Sequence, residues 1–167
     1  VPSPASRPAP APDDGNLLTD AGFEGGLAPW RAVGGSGLQR VVDGRQGSWA
    51  LRLTRGQSRR PGVVHPAVTI LEKGKGYDAT AWVRASRPGV EVRVNLLELR
   101  GGKRFAVDTV GGFTRAGEWQ RLEVSHDAHR PGATLAVEIL APTLTGGTSL
   151  LVDDLAIHAT SSSMSMR

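Results

Sequence analysis

The residues of this 167-residue chain that could do chemistry are few and scattered. HisAspAlaHis at 126–129 sets two imidazoles three residues apart, which begins a transition-metal site but lacks the three or four donors one needs. Lying just before ProGly at 131–132, it reads as a polar loop between strands. Glu98 and Glu138 are a carboxylate pair of the kind that glycoside cleavage uses, but the sequence leaves their separation open. Ser36 and Ser48 follow glycines without the strand, GxSxG turn and helix that expose a nucleophilic serine. The chain has no cysteine, which removes thiol nucleophiles, disulfides and thiolate zinc sites. No catalytic constellation emerges, and the chain is expected to be non-enzymatic.

Charge narrows the partners further. The formal net charge is +4, carried by 17 arginines but only 3 lysines. Most of the arginine is scattered, and the one cluster, Arg52, Arg55, Arg59 and Arg60, has no interleaved aromatics apart from nearby Trp49. Nucleic-acid binding would want a basic stripe with stacking rings, so it is not expected. The cluster could instead contact anionic glycans or a cell surface. No run approaches the roughly 18 apolar residues of a membrane span.

The elements that must position these groups are strands. Gly or Pro interrupts the chain so often that windows free of both rarely exceed about 12 residues, too short for stable helices. Inside the windows the side chains alternate. Val90, Val92, Val94 and Leu96 share one face, with Glu91, Arg93 and Asn95 on the other. Tyr77, Ala79, Ala81 and Val83 oppose Asp78, Thr80, Trp82 and Arg84, and Leu135, Val137 and Ile139 oppose Ala136, Glu138 and Leu140. Trp49, Leu51 and Leu53 also share a face, and the segment from Trp119 runs similarly. GlyGly pairs at 25–26, 34–35, 101–102, 111–112 and 146–147, with ProGly at 61–62, 88–89 and 131–132, read as turns. This pattern predicts an all-β fold, an antiparallel β-sandwich or jelly roll of about eight to ten strands over residues 16–158. Residues 1–15, with Pro2, Pro4, Pro8, Pro10 and Pro12, read as an extended flexible segment, as left by removal of a secretory signal or by cloning. Residues 159–167 read as a small, polar, disordered tail.

A family resemblance runs through these segments in order. AsnLeuLeuThrAspAlaGlyPheGluGlyGlyLeuAlaProTrp (16–30) resembles the opening of carbohydrate-binding modules of families 4, 9 and 22, which are galactose-binding-like jelly rolls. GlyArgGlnGlySerTrpAlaLeuArgLeuThr (44–54), GlyLysGlyTyrAspAlaThrAlaTrpValArgAla (74–85), GlyGluTrpGlnArgLeu (117–122) and SerLeuLeuValAspAspLeuAlaIle (149–157) are similar to the later landmarks. The chain departs at Asp20–Ala21, where the family has Asn-Pro, and at Trp49.

The resemblance implies a structural calcium ion held by the Gly22 carbonyl, the Glu24 carboxylate, the Gln46 carbonyl and Asp153, with Asp154 making an ordinary turn or edge hydrogen bond. Such a hard cation takes six to eight oxygens; the other reading is that Glu24 and Asp153 bond turn amides or water. It also implies a secreted or cell-surface module that binds an oligo- or polysaccharide on a concave sheet, alone or as part of a larger enzyme or surface protein. That platform is expected from the outward faces of 77–84, 90–99 and 134–140, namely Trp82, Arg84, Arg93, Asn95, Glu98 and Glu138, with Arg59, Arg60 and His65 on a rim. Trp82 is as readily packed as exposed, and Arg93, Glu98 and Glu138 could instead be a cross-strand charge ladder. Trp30, Tyr77 and Trp119 are expected in the core. The alternative function is an extracellular structural or interaction module that uses the same jelly roll to bind protein.

Overall fold

The computed structural model of the chain describes residues 15–160 except 20 and 116, with 67–70 described in backbone only. Residues 1–14 and 161–167, the bulk of the expected flexible ends, lie outside the described residues. Among the described residues, ten antiparallel strands form two sheets. In chain order they are β1 (Arg31–Val33), β2 (Gly37–Val41), β3 (Ala50–Thr54), β4 (Gly62–Ile70), β5 (Gly76–Ala85), β6 (Glu91–Arg100), β7 (Lys103–Phe113), β8 (Gln120–Asp127), β9 (Thr134–Leu140) and β10 (Ser149–Thr160). One sheet has the order β1-β4-β9-β6-β7, the other β2-β3-β10-β5-β8. The fold is the expected all-β sandwich, with no helix among the described residues. Accordingly, no helix among them is long and apolar enough to cross a membrane.

The expected inward alternation holds. Val92, Val94 and Leu96 of β6 and Leu135, Val137 and Ile139 of β9 meet Tyr77, Ala79, Ala81 and Val83 of β5 across the sandwich, all in one buried cluster. Each buried Val, Leu or Ile contributes about 1.5–3 kcal/mol relative to exposure, and this sets the facing of every strand. Trp30 and Tyr77 lie in the core, but Trp119 is only half-buried on the outside of the second sheet, under the Arg84 guanidinium at 5.1 Å.

The strands depart from the sequence pattern in two places. Gly111 and Gly112 do not turn the chain: they lie within β7, paired with Arg93 and Val92. β10 carries a register shift between Asp153 and Ala156, with Asp154 at φ +49°. Leu150 and Val152 before the shift, and Leu155 and Ile157 after it, all reach the core, so the bulge absorbs a change of parity. Beside the second half of β10 runs the start of the described chain. The Leu17 amide donates to the Ile157 carbonyl at 2.8 Å, and the Asn16 side chain bonds Ile157 and Leu155. The first and last segments therefore lie side by side, and β10 continues to Thr160 opposite Gly76.

Candidate functional site

The outer face of the β1-β4-β9-β6-β7 sheet carries a chain of polar side chains on three neighbouring strands. Asn95 of β6 stands between Thr109 of β7 and Glu138 of β9 by register. Thr109 Oγ1 donates to Asn95 Oδ1 at 2.8 Å, and Asn95 Nδ2 donates to Glu138 Oε1 at 3.0 Å. Arg104, just past the GlyGly turn at 101–102, donates to both Glu138 oxygens at 3.1 and 2.9 Å. Glu138 and Asn95 are almost fully covered, whereas the Arg104 side chain remains half exposed. Arg93, on the same face, is tied to Glu91 at 2.7 Å. Leu97, Ala136 and Leu140 form the buried apolar floor of this face, and Val107 and Phe113 stand exposed on the edge strand β7, Phe113 at 66%. Planar donors and acceptors fixed by one another on one face can read a hydroxyl-rich ligand.

This face unites three of the residues expected on it, Arg93, Asn95 and Glu138, and excludes four. Trp82 and Arg84 do point outward on β5, as expected, but β5 belongs to the other sheet, so they face away from β6 and β9. There Trp82 is covered by the Arg45 guanidinium at 3.5 Å, and Arg84 is paired with Asp43. Glu98 is an even-numbered position on a strand whose outward residues are odd, and it is fully buried between the sheets. His65 has the inward parity of β4: it is buried with its ring edge-on to Trp30, centroids 4.9 Å apart. Burial lowers its pKa, partly offset by the bond to the Pro66 carbonyl. Arg59 and Arg60 are exposed, as expected of a rim, but without His65 beside them on the surface. Sequence reasoning misses Arg104, Thr109 and Phe113 because it takes Gly111–Gly112 for a turn. The signal is there: a two-residue GlyGly turn at 101–102, followed by alternation, already implies a hairpin partner for β6.

Aromatics on the second sheet are not free. Arg40 covers Trp49 at 3.8 Å, much as Arg45 covers Trp82. A shallow hollow of about 490 Å³ opens on this side, lined by Asp43, Arg52, Arg84 and neighbours, but its two arginines are already engaged with Asp43 and Gln39.

The residues of the implied calcium site do converge. Glu24 accepts the Ser48 and Trp49 amides at 3.0 and 3.1 Å, and Asp153 accepts the Arg45 and Gln46 amides at 2.8 and 3.3 Å, so both carboxylates hold the same loop. A Cβ added to Gly22 would stand 3.8 Å from Glu24 Cγ and 4.0 Å from Asp153 Oδ1, so both side chains flank that glycine. Asp153 is fully buried, and burial together with the adjacent Asp154 charge pushes its pKa up to about 7. Asp154 is also pushed up by burial, against the pull of its ion pair with Arg45 at 3.0 Å. With all three carboxylates ionised, Glu24, Asp153 and Asp154 against the guanidinium groups of Arg45 and Arg40 leave one negative charge in excess, a donor set of the kind a hard divalent cation takes.

Comparisons with known proteins establish the family and the fold. The chain belongs to the carbohydrate binding domain family of the 4/9 type, CBM_4_9, whose model matches residues 15–143. A search of curated protein sequences finds no significant match. Among solved structures it is similar to the CBM22-1 xylan-binding domain of Paenibacillus barcinonensis Xyn10C, at TM-score 0.69 and 18% identity over 86% of this chain and 94% of that one. It is also similar to TmCBM61 bound to β-1,4-galactotriose, at TM-score 0.61 and 20% identity over 87% and 99% of the two chains. A third match is the CBM22-1–GH10 portion of Clostridium thermocellum xylanase 10B with xylohexaose, at TM-score 0.68 and 17% identity over 89% of this chain and 29% of that one. The chain is thus a carbohydrate-binding module by family and by fold.

Proposed function

We propose that the module is non-catalytic and binds a β-1,4-linked polysaccharide, xylan first, across the outer face of β6, β7 and β9. The observation that carries this reading is the Thr109–Asn95–Glu138–Arg104 chain of hydrogen bonds, with exposed Phe113 four residues further along β7 on the same face. The exposed Thr109 hydroxyl and the half-exposed Arg104 guanidinium, held in place by the covered Asn95 and Glu138, offer fixed polar contacts to sugar hydroxyls, and Phe113 further along the face offers an apolar surface to a ring. The named ligands of the similar structures, xylan and β-1,4-galactotriose, support the linkage class. A structural calcium ion between Glu24 and Asp153, completed by the Gly22 and Gln46 carbonyls, is part of the reading. It would lock the start of the chain to β10. Extracellular location follows from the ligand, since plant-type polysaccharides lie outside the cell.

Calorimetric titration with xylohexaose and β-1,4-galactotriose, before and after EDTA, tests the reading. We expect one of the two to bind, binding to be lost in Glu138→Gln, and Trp82→Ala to bind normally. Loss of binding in Trp82→Ala with Glu138→Gln unaffected would place the ligand on the other sheet. A second reading has one observation in its favour: Phe105, Val107 and Phe113 all lie exposed along edge strand β7. If no glycan binds, this apolar edge makes the module a protein-interaction domain.

A further inference from the structure

HisAspAlaHis, two donors short of a metal site as a sequence, gains a third donor in the fold. His126 lies near the end of β8 and is fully buried, and His129 follows just beyond the strand. Glu98 reaches both from the opposite sheet. Its Oε2 lies 2.7 Å from His126 Nε2 and 3.1 Å from His129 Nδ1, and the three donor atoms lie within 4.8 Å of one another. We propose that Glu98, His126 and His129 bind a first-row divalent transition ion, with zinc as the best fit. This site is distinct from the Glu24–Asp153 cluster and independent of the glycan reading. Along β5, His126 pairs with Tyr77 and Asp153 with Trp82. Five residues of strand separate those levels by roughly 16 Å.

Four features point to an ion in addition to a hydrogen-bonded knot. The first is donor chemistry: two imidazoles and one carboxylate suit zinc and its neighbours, whereas calcium demands six to eight oxygens. The second is the way Glu98 is held. Its Oε1 is bonded by the Arg130 amide at 2.9 Å and shares the His129 amide at 3.1 Å, which leaves Oε2 facing the two rings. The third is the orientation of His126, whose Nδ1 lies 2.7 Å from Asp108 Oδ2. A carboxylate on the far ring nitrogen is the common partner of metal-binding histidines, because it fixes the ring with Nε2 toward the ion. The fourth is access: the His129 side chain is 56% exposed and that of Asp108 51%, so one side of the cluster is open to solvent. Zinc–ligand bonds of about 2.0–2.2 Å place tetrahedral donors about 3.3–3.5 Å apart. Ion entry therefore displaces the proton between each ring and the carboxylate to solvent and widens the 2.7 Å contact by about 0.6–0.8 Å and the 3.1 Å contact by about 0.2–0.4 Å, leaving a fourth position for water.

The test is titration of the chelator-stripped, dialysed chain with zinc chloride in saturating calcium, alongside cobalt(II) as a spectroscopic probe. We expect one zinc per chain and the visible bands of four-coordinate cobalt. His129→Ala should weaken zinc binding by about tenfold or more, and Asp108→Asn by about tenfold, as loss of a second-layer carboxylate does elsewhere. Both side chains are half exposed, so neither variant depends on rebuilding the core. His158→Ala should bind zinc like the unaltered chain. Absence of stoichiometric binding, or His129→Ala and Asp108→Asn both binding at full strength, would overturn the proposal.

Discussion

The two outer faces of the sandwich use similar residues in opposite ways. On the β6–β7–β9 face the guanidinium of Arg104 bonds a carboxylate edge-on, and the aromatic ring of Phe113 is left open. On the β2–β3–β10–β5–β8 face, arginines lie over the tryptophans, Arg45 on Trp82 and Arg84 on Trp119, while Arg40 lies on Trp49 against the edge of the core; Arg45 and Arg40 also reach the segments that carry the acidic cluster. Arg45 pairs with Asp154, while Arg40 donates to the Phe23 carbonyl at 2.6 Å and to that of Glu24. A cation over a ring contributes about 0.5–1 kcal/mol at exposed sites and occupies the surface a ligand would need. The tryptophans of one face are thus covered by arginines, whereas the proposed binding face keeps its one exposed ring uncovered. Aromatic content is a poor guide to which side of a sandwich is functional; what matters is whether the rings are already stacked.

This contrast can be broken by a graded set of changes. The largest effect is expected from Glu138→Gln, which leaves Arg104 without its charged partner: glycan affinity should fall at least 100-fold by calorimetry, while circular dichroism stays native. Next comes the acidic cluster. An ion at 100 times its Kd stabilises the folded state by about 2.7 kcal/mol. Calcium should therefore raise Tm by several degrees in the unaltered chain, and by almost nothing in Glu24→Ala or Asp153→Ala. An equal calcium response in all three would remove the ion from this end of the molecule. Phe113→Ala should weaken glycan binding about tenfold, equivalent to about 1.4 kcal/mol, without changing Tm appreciably. Trp82→Ala should leave glycan binding unchanged and cost only a modest loss of thermal stability. The subtlest effect lies between the faces, at His65. Its folded pKa is below 6.5, so the unfolded chain takes up the proton first, and stability present above pH 6.5 is lost as pH falls toward the folded value. Urea denaturation of His65→Phe should show a flatter acid profile over that window than the unaltered chain.

Much of the fold is legible in the sequence because a period of two with polar outer positions has few solutions once turns recur every dozen residues. The inward sets of β5, β6 and β9 can be read residue for residue. The site is legible only in part, for three separate reasons. Trp82 can be placed on the right side of its strand, but alternation tells inside from outside and not which sheet the strand joins. Glu98 groups by chemistry with Arg93 and Asn95 although its parity opposes theirs, and the partner that makes it an interior residue, His126, is 28 residues away. β7 is hidden because paired glycines suggest a turn, yet extended backbone on an edge strand accepts them. Here a Cβ at Gly112 would come to 3.1 Å from the Leu122 side-chain methyl, so glycine leaves that side chain its room.

The sequence by itself determined that this chain makes antiparallel strands, which apolar side chains most of them turn inward, and that the segments around Glu24 and Asp153 belong to a shared pattern of landmarks. Those are local matters, set by pleat geometry and by the cost of exposing valine and leucine. Only the tertiary structure decided that Asn95 meets Glu138 and Arg104, that Trp82 looks away from them, and that Glu98 turns in to meet two histidines. Sheet membership is settled by which strands find each other across long separations, and a two-residue period carries no memory of its partner.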